Sequence, residues 1–272
     1  MGLRINTNMS ALNTARVLRG STLSLNKSLE RLSSGLRINR AADDAAGLAI
    51  AEGFKSVVRG ASVASANAQD GISLVQTAEG ALSETQNILQ RIRELAIQSS
   101  NGTQSTTNRA AIHNEVRQLL DQIDDIALDT DFNGIRVLSS PQTVTLQSGA
   151  YTSQVLSITL TGAKTNELGV SSVAVSTMAL ANAAISTVDL AIQSVSTLRS
   201  TLGAYQNRLE FTITTLNIQS ENSSSSESAI RDADVAQETI KFTRNQILVS
   251  AGTSVLAQAN VIPQTALQLL GR

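Results

Sequence analysis

A chain of 272 residues with a formal net charge of −1 can hold one or two domains with a sizeable core. Its charge balance offers no basic footprint for nucleic acid or an anionic membrane, and the absence of Cys excludes a disulfide framework and thiolate metal sites. Four Phe, two Tyr and no Trp leave Leu, Ile, Val and Ala to fill the core, which suits long helices packed closely along their lengths.

Only Pro141 and Pro263 interrupt the chain, so long stretches are free to remain helical. No uninterrupted apolar run of about 18 residues occurs, so no membrane span is expected. The first residues lack a basic region, an apolar run and a cleavage site, so no cleaved leader is expected. Residues 11 to 36 place Ala11, Ala15, Leu18, Thr22, Leu25, Leu29, Leu32 and Leu36 at alternating steps of four and three, the spacing of a coiled-coil seam. Gly35 and the stretch from Asn39 to Asp44 end that helix, and Asp43 or Asp44 can cap a second. The second helix should run to about Ser99 on a seam of Val75, Ala78, Leu82, Thr85, Leu89, Ile92 and Ala96, roughly 80 Å at about 1.5 Å per residue.

Asn101-Gly102 marks a turn, and Ser105 or Thr106 can cap a third helix with Ile112, Val116, Leu119, Ile123 and Ile126 on its buried face. Beyond Asn133-Gly134 the pattern changes. Val144, Leu146, Val155, Leu156, Ile158 and Leu160 among Thr, Ser and Gln predict a β-hairpin at about 142–162, turning at Ser148-Gly149. Helical period returns near Met178. Val188, Val195, Leu202, Leu209 and Leu216 recur every seven residues, with Ala184, Ala191, Leu198 and Tyr205 between them. The serine run Ser223 to Ser226 should weaken this helix locally, and Asp232 to Asp234 can cap a last one carrying Leu248, Val255, Ile262 and Leu269. Pro263 should bend or open that helix. The matching seams in both halves predict a mainly α fold: a long antiparallel helical bundle or coiled coil with a small β-hairpin, its N- and C-termini packed together.

No catalytic constellation is present. Asp129, Asp131, Asn133 and Gly134 match the first half of an EF-hand loop, but the twelfth position is Ser140, where bidentate coordination needs Glu. A polar turn with Gly134 at positive φ is the plainer reading. His113 is the only histidine and, with no Cys in the chain, cannot build a His-rich zinc site. Asp121, Asp124 and Asp125 read as the solvated face of a helix. Gln90, Arg91, Arg93, Glu94, Leu95 and Gln98 form the strongest candidate binding face: Leu89, Ile92 and Ala96 point to the seam, which puts Arg91, Leu95 and Gln98 on another side. A solvated, charge-paired helix face is the alternative.

Several motifs stand in one order along almost the whole chain: NTNMSALNTARVLRG at 6–20, SSGLRINRAADDAAGLAIAE at 33–52, LQRIRELAIQ at 89–98, DFNGIRVL at 131–138, IRDADVAQE at 230–238 and AGTSVLAQANVIPQ at 251–264. They resemble bacterial flagellin, in a short form without variable outer domains, since only about 40 residues separate Leu138 from Met178. The resemblance implies a non-enzymatic, cofactor-free subunit of the extracellular flagellar filament, exported through the flagellar type III channel. It implies an inner-tube coiled-coil domain of residues 1–43 plus 235–272, and a helical bundle domain of 44–234. Leu18, Leu25, Leu29, Leu32, Leu248, Val255, Ile262 and Leu269 are then inner-tube assembly residues. The implied partners are further copies of the chain, an export chaperone at the C-terminal helix, the filament cap and hook-junction proteins. The 90–98 face, with Glu115 on the next helix, implies contacts between subunits and with the vertebrate Toll-like receptor for flagellin. The alternatives are a hook–filament junction protein or a secreted adhesin or receptor ligand.

Overall fold

The structure, a computed structural model, describes the backbone of residues 7–270 and the side chains of residues 7–261. The fold is mainly α. Its helices are α1 (Met9–Ser34), α2 (Ala45–Ser100), α3 (Thr106–Asp129), α4 (Met178–Arg231) and α5 (Val235–Leu270), with strands β1 (Asp131–Phe132), β2 (Ile135–Arg136), β3 (Gln142–Gln147) and β4 (Val155–Leu160) between α3 and α4. The chain divides into a terminal unit, Met1–Ser56 with Asn222–Arg272, and a central unit, Val57–Glu221. This division falls inside α2 and α4.

In the central unit, α3 and the central portions of α2 and α4 close around one core. Val75, Ala78, Leu82, Leu89, Ile92 and Ala96 of α2 meet Ile112, Val116, Leu120 and Ile123 of α3, and Val188, Val195, Leu202 and Leu209 of α4. The Ser105 hydroxyl caps α3 by accepting the Asn108 amide, satisfying one of the donors a helix start leaves free. β3 and β4 pair antiparallel from Gln142↔Leu160 to Gln147↔Val155. β4 alternates in the way a one-sided strand must, with Leu156, Ile158 and Leu160 buried and Val155, Ser157 and Thr159 outward. β1 and β2 form a second, unanticipated hairpin. Asn133 and Gly134 both have positive φ, 51° and 79°, as a two-residue type I′ connection requires. The Asp131 carboxylate accepts the Gly134 amide at 3.2 Å, so the half-motif resembling a calcium loop is here a tight hairpin turn.

Both α4 and α5 keep their helical assignment through the serine run and through Pro263. The serine run lies within α4, where the Ser226 hydroxyl donates to the Asn222 carbonyl at 2.8 Å and Ser223 is buried. Among the described helices, α4 alone is long and apolar enough to cross a membrane by length and composition. The sequence expectation counted uninterrupted runs, and Ser and Thr interrupt this one. Thr187, Ser194, Thr197 and Thr201 return their hydroxyls to carbonyls four residues back, so they sit in an apolar helix at little cost. α5 continues through Pro263 to Leu270.

In the terminal unit α1 and α5 pack antiparallel. α1 begins at the Asn8 cap and ends at Gly35 in the left-handed region. The connection to α2 is tied to the α4–α5 turn through backbone: Leu36 bridges Asp232, the Arg37 amide donates to the Arg231 carbonyl at 2.6 Å, and the Ala233 amide to the Gly35 carbonyl at 2.9 Å. Asp44 caps α2 by accepting the Gly47 amide at 2.9 Å, and Asp234 caps α5 by accepting the amides of Ala236 and Gln237. Asp43 holds the α1–α2 connection. It pairs with Lys27 at 2.7 Å and accepts the amides of Arg40 and Asn39, and these donors pull its carboxyl from 3.8 down to about 2.

A carboxylate with a folded pKa below its unfolded one adds stability that is complete above the unfolded value and lost as pH falls through the folded one. Asp43 therefore contributes above about pH 4, and that contribution disappears toward about pH 2. Asp43→Asn should melt below wild type at neutral pH, and the gap should close over this interval. Parallel melting curves across the interval would contradict the assignment.

Candidate assembly and recognition surfaces

The α1–α5 seam takes Ala11, Thr14, Leu18, Ser21, Leu25, Ser28 and Leu32 from one helix, and Glu238, Phe242, Asn245, Val249, Gly252, Leu256 and Ala259 from the other, all half-buried or buried. Steps of three and four run through both sets, as in a coiled coil, but more than half of these positions hold small or polar residues. Small residues allow close approach: a Cβ on Gly252 would lie 3.2 Å from Leu18 Cδ1. The Asn8 amide spans the pair, donating to the Ala259 carbonyl at 2.8 Å.

Leu18, Leu25 and Leu32 thus lie on the seam as expected. Leu29, Leu248 and Val255 do not; they are 56%, 47% and 55% exposed, which corrects their placement against the opposing helix. The reason is geometric. α5 is apolar on several sides, and the seam takes the side that carries Gly252 and Ala259, where the backbones can come closest. The side chains of Ile262 and Leu269 lie outside the described residues. Among the described residues of the terminal unit the buried hydrophobics are Ile38, Ala51 and Ala259. Leu12, Val17, Leu23 and Leu29 on α1, and Ile240, Ile247, Leu248 and Val255 on α5, are exposed. So many large apolar side chains left exposed on two paired helices mark an interaction surface.

Beneath the seam's polar end, Glu238 is buried against Lys241 at 3.1 Å and Arg31 at 3.8 Å. Burial alone would raise its carboxyl, but the Ser28 hydroxyl, Lys241 and Arg31 outweigh that and hold it below its ordinary range. Sequence reading missed this cluster because only the folded pair brings Ser28 and Arg31 to Glu238.

On the central unit, Arg91 bridges two helices. Its guanidinium donates to Glu115 of α3 at 3.0 Å and to Glu94, one turn along α2, at 3.2 Å. These two carboxylates raise its pKa above the ordinary guanidinium value. Gln90 and Gln98 are exposed beside it. Arg93 belongs to a different array, donating to Asp189 of α4 at 2.6 Å; Asp189 was not singled out from sequence, where nothing distinguishes it from other solvated acids. Leu95 is 2% exposed, so its expected place on the outer face is corrected. α2 packs against both α3 and α4, and its buried arc is wider than a two-position heptad seam. Exposed ion pairs such as Arg91–Glu115 add little stability; their effect is to hold long side chains in a fixed pattern at the surface.

His113 is half-buried, its Nδ1 accepting the Val175 amide at 3.5 Å. Among the described residues no group of three or more His, Cys, Asp or Glu is placed to hold a metal ion.

The family models for the bacterial flagellin N-terminal and C-terminal helical regions match residues 5–143 and 185–270. The flagellin of Halalkalibacterium halodurans is 47% identical over 269 residues, covering 98% of this chain and 99% of that protein. The flagellar filament 31.3 kDa core protein of Treponema maltophilum is 45% identical over 283 residues, covering 98% and 99%. The crystal structure of Bacillus cereus flagellin, 33% identical, aligns over 56% of this chain and 88% of that one with a TM-score of 0.49. With both helical regions matched and such identity along nearly the whole length, the chain belongs to the bacterial flagellins.

Proposed function

We propose that this flagellin polymerises with copies of itself into the hollow helical filament of an extracellular bacterial flagellum, and that it is exported there through the flagellar channel. It is a structural protein and not an enzyme. The observation that carries the reading is the pair of unpartnered apolar faces on α1 and α5. Two paired helices cannot cover these faces, and neighbouring copies of the same two helices can. Leu29, Leu248 and Val255 then contact other subunits, while Leu18, Leu25 and Leu32 hold the pair within one subunit. Before assembly, an export chaperone covers α5. The filament cap and hook-junction proteins meet the same faces at the two ends of the polymer. The relatives bear the names flagellin and filament core protein, which favours the filament body over a junction protein or an adhesin.

The second surface is the array of Gln90, Arg91, Glu94, Gln98 and Glu115, with Arg93 beside it. It serves between subunits and, on free monomer, as the contact for the vertebrate Toll-like receptor for flagellin. Its support is the exposed, ion-paired geometry around Arg91 together with the quoted wording of this helix. Leu95 acts from beneath, as core. Arg91→Ala should lower a receptor-reporter response several-fold on purified monomer without moving its melting temperature. Leu95→Ala should instead destabilise the central unit by about 2–5 kcal/mol, as large-to-small core changes do. An Arg91→Ala monomer as active as wild type would remove the receptor assignment.

Local stability follows buried apolar contact, and the terminal unit has little of it in a single chain. Amides of residues 9–34 and 235–261 should exchange with solvent faster than those of the α2 core in monomer, and become protected in filaments. Equal protection of the two regions in monomer would mean that assembly does not complete this unit.

A further inference from the structure

Charge is distributed unevenly between the units. The segments of the terminal unit carry twelve Lys and Arg against eight Asp and Glu; the central unit carries nine against fourteen. Part of the cationic excess gathers in a groove of about 270 Å³ between α1 and α5, lined by Lys27, Arg31, Lys241 and Arg244 around Glu238. Glu238 serves both Lys241 and Arg31, and Asp43 serves Lys27. Four cations thus share two carboxylates. Arg244 makes no ion pair among the described residues, and the Nε of Arg31 is buried without an acceptor. A buried guanidinium donor left unpaired is costly, so the groove is under-neutralised as it stands.

The central unit holds the opposite imbalance. Asp121, Asp125 and Asp129 are exposed, stand four residues apart on α3, and make no ion pair among the described residues. Like charges at this spacing disfavour a helix, and carboxylates toward its C-terminus also oppose the macrodipole. The nearest cation on this row, Arg117, stands one turn before Asp121 at the end of the ridge, and leaves Asp125 and Asp129 without a partner of opposite charge on the row. A ridge of carboxylates at helical spacing is a form that a groove lined by Arg and Lys can accept.

We propose that in the assembled protein the Asp121–Asp125–Asp129 ridge of one copy seats its carboxylates in the Lys27–Arg31–Lys241–Arg244 groove of a second copy. The proposal rests on the self-assembly argued above and adds to it an electrostatic contact separate from the apolar faces. Apolar faces alone tolerate sliding and rotation. A groove that must receive carboxylates fixes which surface of the neighbour arrives and in what register, and it makes assembly sensitive to salt.

Charge exchange tests it on the full-length protein: Arg244→Glu; Asp121→Lys with Asp125→Lys; and all three together. Elongation from sonicated filament seeds, read as the critical concentration by sedimentation, is compared at low and high NaCl. Each reversal should raise the critical concentration on the order of tenfold at low salt, and the combination should lose clearly less than the two losses taken together. Wild-type assembly should weaken with NaCl more than the combined variant of reduced ridge charge. Additive losses in the combination, or no effect of either reversal, would overturn the proposal. So would calorimetric binding of sulfate by wild-type monomer, lost in Arg244→Glu, alongside normal assembly of the ridge variant, since the groove would then be a site for small anions. Wild type that does not elongate seeds at all would remove the filament reading itself, and the proposal with it.

Discussion

A pair of helices can bury one face of each partner and no more. In the terminal unit α1 and α5 use that face for a seam in which Thr14, Ser21 and Ser28 on one side and Asn245, Gly252 and Ala259 on the other sit between the larger Leu18, Leu25, Val249 and Leu256. Many of their large side chains, Val17, Leu23, Leu29, Ile247 and Val255 among them, remain outside. A pair optimised to stand alone would fill nearly every seam position with residues of that size. Close backbone approach at Gly252 gains contact for the pair but little apolar burial. The unit is therefore held together while its main hydrophobic stabilisation waits for neighbours, and the assembly reading follows from that order.

How far the sequence was legible depends on the same distinction. In α2 and α4 the seven-residue lines Val75–Leu82–Leu89 and Val188–Val195–Leu202–Leu209 are buried as their spacing implied, because one chain supplies every partner they need. In α1 alternate seam positions were read correctly at Ala11, Leu18, Leu25 and Leu32, while Ala15, Thr22 and Leu29 took places that belong to Thr14, Ser21 and Ser28. Periodicity ranks positions by apolarity, and in α1 the buried side was the less apolar one. α5 is apolar on several sides, so period alone could not choose among them. The β1–β2 hairpin escaped because two-residue strands are too short to alternate, although its Asn133-Gly134 turn was visible. Leu95 was misplaced because a single heptad seam was assumed for a helix that packs on two neighbours.

The corners of the terminal unit are built differently from its helices. The α1–α2 connection has few apolar residues to bury beyond Ile38, and it is fixed instead by charge and backbone pairing. Arg37 donates its guanidinium to the Ile230 carbonyl, Arg231 reaches Glu52 at 3.1 Å, and Arg40 reaches Glu30 at 2.9 Å. Surface pairs of this kind are individually weak. Combined with the Leu36–Asp232 bridge they restrict one another, so the corner keeps its shape without a core beneath it. This also accounts for the Asp- and Arg-rich wording of residues 37–44 and 230–234, which the helical period could not explain.

Exposed apolar surface is ordinarily an aggregation hazard, and the choice of helices limits it. A helix satisfies its own backbone hydrogen bonds, so another chain can join its outer face only through side chains that fit. An exposed strand would offer unpaired amides and carbonyls to any partner. In this chain the described strands are short, β4 turns Leu156, Ile158 and Leu160 into the core, and the large exposed hydrophobics of the terminal unit lie on or at the ends of helices. Association then requires a partner with the same spacing of side chains along a comparable length. A second copy of α1 and α5 meets that requirement, and a chance encounter with an unrelated surface rarely does. The low aromatic content works in the same direction: without large flat rings on most of these faces, affinity must accumulate from many small contacts in register, which favours the ordered lattice over a disordered cluster.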